Sequence, residues 1–469
     1  MSEQPEYCVV YKAYILMLDN DSLFQIFSHY RLEREKDWNL QFKWRKLTHV
    51  CRRWRWLIYD SWTHLDMSLL LTNNSPSIDT LSHLPPLPLL IDFSNIARAI
   101  TRKDEDNIQL VLRQNGRVRQ VVLWAPPSSL RMWLGHMNGL FPRLGELSLL
   151  STSTEEMNLM LPETLQAPDL RLLALHGIGL PTGLPLLSSA ITLTTLYLTH
   201  IGASSYFPPG HLVTQLQGLP HLEVLNIGFA IPIPLPSSEG ELLTALIQPV
   251  TLPVLRRLTF QGVDVYLDNL VAQINTPLLE RLSVTLSFDL IFTLMNLAKF
   301  IRRTERFGCL VARVMFNKDG ASIKADHYEQ RGPWKLSLHI TCEPLDWQID
   351  SVAQVCGALG EVVSVVEELA LGLDVDGMPS DWENTLDNTM WHELLLQFTG
   401  VKKLHIDYSF TLQLSQALES VSEGLVLGLL PGLQELEVPR GITERATNAF
   451  SVFTTTRESV GRPIRLVRT

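Results

Sequence analysis

Cys51 is the residue best placed to act as a nucleophile: His49 stands two positions before it, and Arg52 and Arg53 follow directly. Adjacent positive charge stabilises a thiolate and raises its reactivity. Against that, Cys51 shares an apolar stripe with Leu47, Val50 and Trp54, which predicts a buried, inert thiol. Trp391-His392-Glu393 pairs a base with an acid, but no second histidine follows four residues on, so the zincin pattern is missing and the segment reads as helix surface. Asp374, Asp376, Asp381 and Glu383 gather around Gly377 and Pro379 without the spacing of a calcium loop, and read as a solvated turn. Lys43, Arg45, Lys46, Arg52, Arg53 and Arg55 could grip phosphates. Trp44, Leu47, Val50 and Trp54 are interleaved with them, as on a packed helix whose basic face steers an acidic protein. A nucleophile elbow, a phosphate loop and a dinucleotide fingerprint are all absent from the sequence. The expectation is therefore a protein without catalytic residues, metal or cofactor, which works by binding.

Composition narrows what is bound. Of 469 residues, 46% are hydrophobic and 19% charged, the balance of an ordered, core-rich chain. A formal net charge of −10 disfavours wholesale binding of nucleic acid or anionic membrane. The charge is uneven, since residues 1–70 carry 10 Lys+Arg against 9 Asp+Glu, which places the acidic excess beyond them. Cys8, Cys51, Cys309, Cys342 and Cys356 are too scattered for a disulfide framework or a zinc knuckle. That usage, with no signal peptide and no long apolar run, predicts an intracellular protein, cytoplasmic or nuclear.

The elements that must present a binding surface repeat along the chain. Leu-x-x-Leu-x-Leu occurs at Leu144-Leu147-Leu149, Leu170-Leu173-Leu175, Leu193-Leu196-Leu198, Leu222-Leu225-Ile227, Leu255-Leu258-Phe260 and Leu279-Leu282-Val284. It resumes at Val366-Leu369-Leu371, Val401-Leu404-Ile406 and Leu433-Leu436-Val438. Degenerate copies lie at Val118-Val121-Leu123, Val311-Val314-Phe316 and Leu336-Leu338-Ile340. The last two apolar positions are two apart and share one face of a short strand, while the first turns the corner into it. Prolines 142, 168, 220, 253, 277 and 431 stand at those corners, where they end a preceding helix. Glu239–Gln248 and Val265–Ile274 have helical spacing and would lie behind the strands. The pattern predicts an α/β fold, an irregular leucine-rich-repeat solenoid with a curved parallel sheet over 71–469. Its concave face would be built by the residues between the core leucines: His176, Tyr197, Asn226, Arg257, Arg281, Lys403, His405 and Glu435, with Thr259 and Ser283 among their neighbours.

Residues 1–70 read as a separate small helical domain. Asp19, Asn20 and Asp21 supply N-cap oxygens before Leu23, Phe24, Ile26 and Phe27. A charged loop spans Arg31–Asp37, and a second helix from about Trp44 would carry Leu47, Val50, Cys51 and Trp54 on one stripe. Trp62, Leu65 and Met67 close the unit.

With those residues in view, the segment resembles the F-box family, in the form joined to leucine-rich repeats in mushroom-forming fungi. The likeness rests on Leu18-Asp19-Asn20-Asp21-Ser22-Leu23-Phe24-Gln25-Ile26-Phe27, on Leu47-Thr48-His49-Val50-Cys51-Arg52-Arg53-Trp54-Arg55 and on Trp62-Thr63-His64-Leu65-Asp66, with Asp19 where the family has proline. It covers residues 15–68. The resemblance implies docking on the Skp-type adaptor of a cullin-RING ubiquitin ligase, through a bundle and groove of Leu18, Leu23, Ile26, Phe27, Leu47, Val50, Cys51 and Trp54, with Trp54 as anchor. A protein target would then bind through the repeats, with no nucleic acid and no membrane as partner. The second reading is a ligase-independent repeat scaffold whose F-box is structural.

Overall fold

A computed structural model describes residues 17–32, 44–61, 68–73, 86–153, 159–181, 185–230, 249–287, 291–304, 306–327, 333–374, 388–420 and 428–469. The architecture is mixed α/β with mostly parallel strand pairing. Contacts divide the chain into two compact units, Met1–Ser153 with Thr164–Pro168, and Thr154–Glu163 with Asp169–Thr469.

The first unit opens with three helices, α1 (Asn20–Leu32), α2 (Trp44–Thr48) and α3 (Arg52–Asp60). Asp19 caps α1: its carboxylate accepts from Ser22 N at 2.7 Å and its carbonyl from Leu23 N at 3.2 Å. That hydrogen bond from Ser22, with Arg53 nearby, holds the Asp19 carboxyl below its usual range. The expected continuous second helix is broken in two. Val50 N bonds back only to the Leu47 carbonyl, Cys51 is extended at φ −156°, and α3 starts beyond it. The Cys51 sulfur accepts from Trp54 N at 3.4 Å, so the thiol caps a helix instead of lying on its stripe. Helix α1 also takes in Arg31 and Leu32, which shortens the expected charged loop, while Trp62, Leu65 and Met67 lie outside the described residues. Four strands follow: β1 (Leu69–Leu71), β2 (Leu89–Phe93), β3 (Val118–Ala125) and β4 (Glu146–Ser151), paired in that order and all parallel. Between them run α4 (Arg102–Leu112) and α5 (Pro127–Leu134).

The second unit carries β5 (Leu172–His176), β6 (Thr195–Ile201), β7 (Val224–Phe229), β8 (Val250–Thr251), β9 (Arg257–Gly262), β10 (Ile274–Asn275) and β11 (Arg281–Ser287). After these come β12 (Val311–Asn317), β13 (Gly320–Asp326), β14 (Leu336–Thr341), β15 (Glu368–Leu373), β16 (Lys403–Ile406), β17 (Glu435–Val438) and β18 (Arg465–Arg468). The helices are α6 (Pro185–Ser189), α7 (Pro209–Leu216), α8 (Asp264–Ala272), α9 (Met295–Arg303), α10 (Leu345–Leu359), α11 (Asn388–Leu396), α12 (Thr411–Glu419) and α13 (Glu444–Ser459). Helix α8 covers the expected helical segment as far as Ala272, Ile274 opening β10 instead, whereas Glu239–Gln248 lies outside the described residues.

The leucine pattern explains why these strands pair as they do. Leu173, Leu196, Leu225, Leu258, Leu282 and Leu336 are successive register partners from β5 to β14, and each is at most 2% exposed. Leu369, Leu404, Leu436 and Leu466 continue that row on β15 to β18. The first apolar residue of each pattern closes a β-turn. Leu222 N bonds to the Leu219 carbonyl, Leu255 N to Leu252, Leu279 N to Thr276 and Leu433 N to Leu430. Proline follows each of those carbonyl residues, at the turn position its fixed φ suits best.

Among the described strands, the expectation of uniformly parallel pairing fails at β13. The sheet order through the middle is β11-β14-β13-β12-β15, and β13 runs antiparallel to both neighbours. The cause is a hairpin at Asn317-Lys318-Asp319-Gly320, where a Cβ on Gly320 would sit 2.0 Å from the Ile340 carbonyl oxygen. Only glycine fits there. Gln348 on α10, fully buried, ties this excursion down by donating from Nε2 to the carbonyls of Asn317 (2.9 Å), Cys342 (2.9 Å) and Glu343 (3.0 Å).

Candidate functional site

The residues expected to dock an adaptor separate into core and surface. Leu23 and Phe27 are buried with Leu57, Ile58 and Leu87, while Leu18, Leu47 and Trp54 pack half-buried on that cluster. Trp54 meets Phe27 edge-to-face at 4.9 Å. Ile26 and Val50 remain 43% and 55% exposed, and Cys51 is half-buried at its cap. Two of the arginines are internal braces. Arg53 donates to the Leu18 carbonyl at 2.7 Å and to Asn20 Oδ1 at 2.8 Å, and Arg55 Nε donates to the Thr48 carbonyl at 2.9 Å. Arg52, Arg55, Trp56, Tyr59 and Asp60 line an open recess of about 400 Å³, in which Trp56 is 60% exposed. Trp56 escaped the sequence reading because Trp54 already filled the expected apolar stripe.

The residues expected on a binding face of the repeats do share one side of the second unit's sheet. Between the buried leucines, His176, Tyr197, Asn226, Lys403, His405 and Glu435 are half-buried, and Arg257 and Arg281 are exposed. Register sets which of them meet. Tyr197 lies opposite Asn226, Arg257 opposite Arg281, and Lys403 opposite Glu435. At one end His176 Nδ1 is 3.0 Å from Thr199 Oγ1, and its ring stacks on His200 at 5.0 Å. Burial, and secondarily the His200 charge, lower the His176 pKa. At the other end Lys403 Nζ sits 2.8 Å from Glu437 and 3.7 Å from Glu435, His405 Nδ1 is 3.3 Å from Glu437, and Arg465 is 3.9 Å from Glu435. The hydrogen bond to Glu437 raises the Lys403 pKa and lowers that of the carboxylate.

Between those ends is a second recess, of about 250 Å³, lined by Arg257, Thr259, Arg281, Ser283, Pro333, Trp334 and Ser337. The Arg313 guanidinium lies over the Trp334 ring at 5.7 Å and steadies that wall. Sequence reasoning supplied the β9 and β11 residues and missed Pro333, Trp334 and Ser337, because the reordering of β12 to β14 is needed to bring them there.

The remaining candidates are the other cysteines, the Trp391-His392-Glu393 segment and the acidic turn. Burial pushes the thiols of Cys309 and Cys342 up to about 11 and that of Cys356 to about 12. In the Trp391-His392-Glu393 segment, Trp391 is fully buried on α11 and His392 Nε2 donates to the Ala417 carbonyl at 2.6 Å. Of the acidic turn, Asp376, Asp381 and Glu383 lie outside the described residues. Among the described residues, no group of three or more His, Cys, Asp or Glu could hold a metal ion, and no helix is long and apolar enough to cross a membrane. No protein-family model matches the chain, and no curated protein is significantly similar to it.

Proposed function

We propose that this chain is a non-catalytic substrate receptor, an F-box-like helical module with leucine-rich repeats, which docks on a Skp-type adaptor of a cullin-RING ubiquitin ligase and holds a protein target on its repeats. The observation that carries the reading is the split within the quoted motif. Leu23 and Phe27 close a core, whereas Ile26 and Val50 stay exposed beside half-buried Leu18, Leu47 and Trp54. Apolar residues left outside a completed core are what an adaptor-docking surface needs. The register-matched leucines of β5 to β18, with polar side chains between them, support the repeat reading and give the target a surface rich in hydrogen-bonding groups.

Co-purification of the full chain with a Skp-type adaptor tests this. The intact protein is expected to hold the adaptor, and Ile26→Asp with Val50→Asp to release it while circular dichroism stays unchanged. Both positions are exposed, so the substitutions spare the fold. An intact chain that does not retain the adaptor, or a doubly substituted one that does, overturns the docking assignment.

A further inference from the structure

We infer that His176 and His200 are paired as ligands for a zinc ion, on the face of the second unit's sheet where β5 and β6 adjoin. Three local features converge on these two imidazoles. The first is a bulge in β6. Leu198 pairs with Ile227 and Ile201 with Phe229, so Thr199 and His200 together stand against Gly228 alone. A bulge of this kind re-aims a side chain. The second is the backbone of His200, whose φ of +55° is left-handed, a conformation shared among the described non-glycine residues only by Leu430. A glycine would relieve that strain. Histidine in its place brings a ring onto His176, centroid to centroid at 5.0 Å.

The third feature is the tautomer of His176. Thr199 Oγ1 donates its single proton to the Leu175 carbonyl at 3.3 Å, so it meets His176 Nδ1, 3.0 Å away, as an acceptor. Nδ1 therefore carries the proton of the neutral ring, and Nε2 keeps its lone pair. Metal-binding histidines are held in the same way, by a hydrogen bond from the nitrogen that does not ligate. Nε2 of His176 and both nitrogens of His200 have no hydrogen-bond partner among the described residues. Both rings are half-buried, so an ion can reach them, and the lowered pKa of His176 keeps its ring neutral and able to ligate at pH 7.

The spacing suits the ion. With zinc about 2.0–2.1 Å from each nitrogen and each ring centre about 1.2 Å further on, N–Zn–N angles of about 90–110° set the centroids about 4.5–5.2 Å apart. The observed 5.0 Å falls within that range. A turn about Cβ–Cγ leaves a ring centre almost where it is, so the lone pairs converge without movement of the strands. Two neutral imidazoles with no carboxylate between them favour zinc over magnesium or calcium, and water fills the remaining positions.

Titration of the full chain with Zn2+ against a chromophoric indicator tests this. The chain is expected to take up one equivalent that His176→Gln and His200→Gly each weaken at least tenfold. Glycine adopts φ +55° freely, so the urea midpoint of His200→Gly should equal or exceed the parent's while zinc is lost. Thr199→Val keeps the shape, removes the hold on the tautomer and should weaken zinc about tenfold. His211→Gln, at an exposed histidine on α7, should keep full affinity. A parent chain that takes up no such equivalent, full affinity in His176→Gln or His200→Gly, or an equal loss in His211→Gln overturns the inference. So does a loss of zinc that comes with a lowered urea midpoint in both variants of the pair, which would assign the two rings to packing.

Discussion

Replacing Gln348 is the sharpest test of how the central sheet is held. The side chain is fully buried, and its Nε2 faces three carbonyls with only two N–H bonds to give, so two hydrogen bonds are satisfied at any moment. Its Oε1 has no hydrogen-bond partner among the described residues. In Gln348→Leu, two part-buried carbonyls lose their donor at about 1–3 kcal/mol each, and removal of the orphaned Oε1 returns about 1 kcal/mol, leaving a net loss of about 1–5 kcal/mol. Gln348→Glu keeps the shape but aims a carboxylate at three carbonyls, so the loss should reach about 3–5 kcal/mol at neutral pH. It should shrink in acid, where a protonated Glu regains one donor. Hydrogen exchange of the β13 and β14 amides reports this locally, since they open with the hairpin that Gln348 ties down. Amide opening within about 0.5 kcal/mol of the parent in both variants, or a Glu variant milder than Leu at neutral pH, would refute the reasoning.

Two further outcomes follow from the titrating groups. His176 and His339 both have pKa values lowered mainly by burial, from an ordinary 6.5. The unfolded chain therefore binds protons that the folded one refuses, so stability is complete above pH 6.5 and declines as pH falls below it. The urea midpoint should drop between pH 7.5 and 5.5, by less in a His176→Gln, His339→Gln double variant; an equal drop in both proteins would rule these groups out as the source. The thiols of Cys309, Cys342 and Cys356, held near 11 to 12 by burial, should resist iodoacetamide at pH 7.5 until the chain is unfolded. Rapid native alkylation of Cys356, mapped by mass spectrometry, would contradict its placement.

What could be read from the chain alone was whatever repeats. The corner leucines, the strand leucines and the prolines between them were legible because each copy faces the same physical demand: turn, enter the strand, bury two side chains on one face. Single-copy features were harder. Helical spacing runs unbroken through Leu47, Val50 and Trp54, so nothing in the periodicity marks the break at Cys51. A thiol is also a weak acceptor and a poor advertisement for an N-cap. The reversal of β13 did carry a signal, since Asp319-Gly320 between two alternating runs is a strong hairpin mark. Reading Val311–Ile340 as damaged copies of the repeat hid it.

The Arg257–Arg281 recess shows where that boundary lies. Arg257-Leu258-Thr259 and Arg281-Leu282-Ser283 occupy the same position in successive copies, so aligning repeats already sets arginine against arginine and hydroxyl against hydroxyl. A copy that merely followed in order would have brought β12 and its Arg313 alongside β11 and extended the repulsion. Instead β14 and β13 stand between β11 and β12, and β14 brings Lys335, which pairs with Asp326 at 3.3 Å, the neutral Ser337, and its leading residues Pro333 and Trp334. Arg313 lies instead over the Trp334 ring at 5.7 Å. Among the described strands, the place where the parallel order fails is thus also the place where Arg257 and Arg281 gain hydroxyl neighbours and an apolar wall, so that the irregularity in the sheet, and not the regular array, shapes this recess.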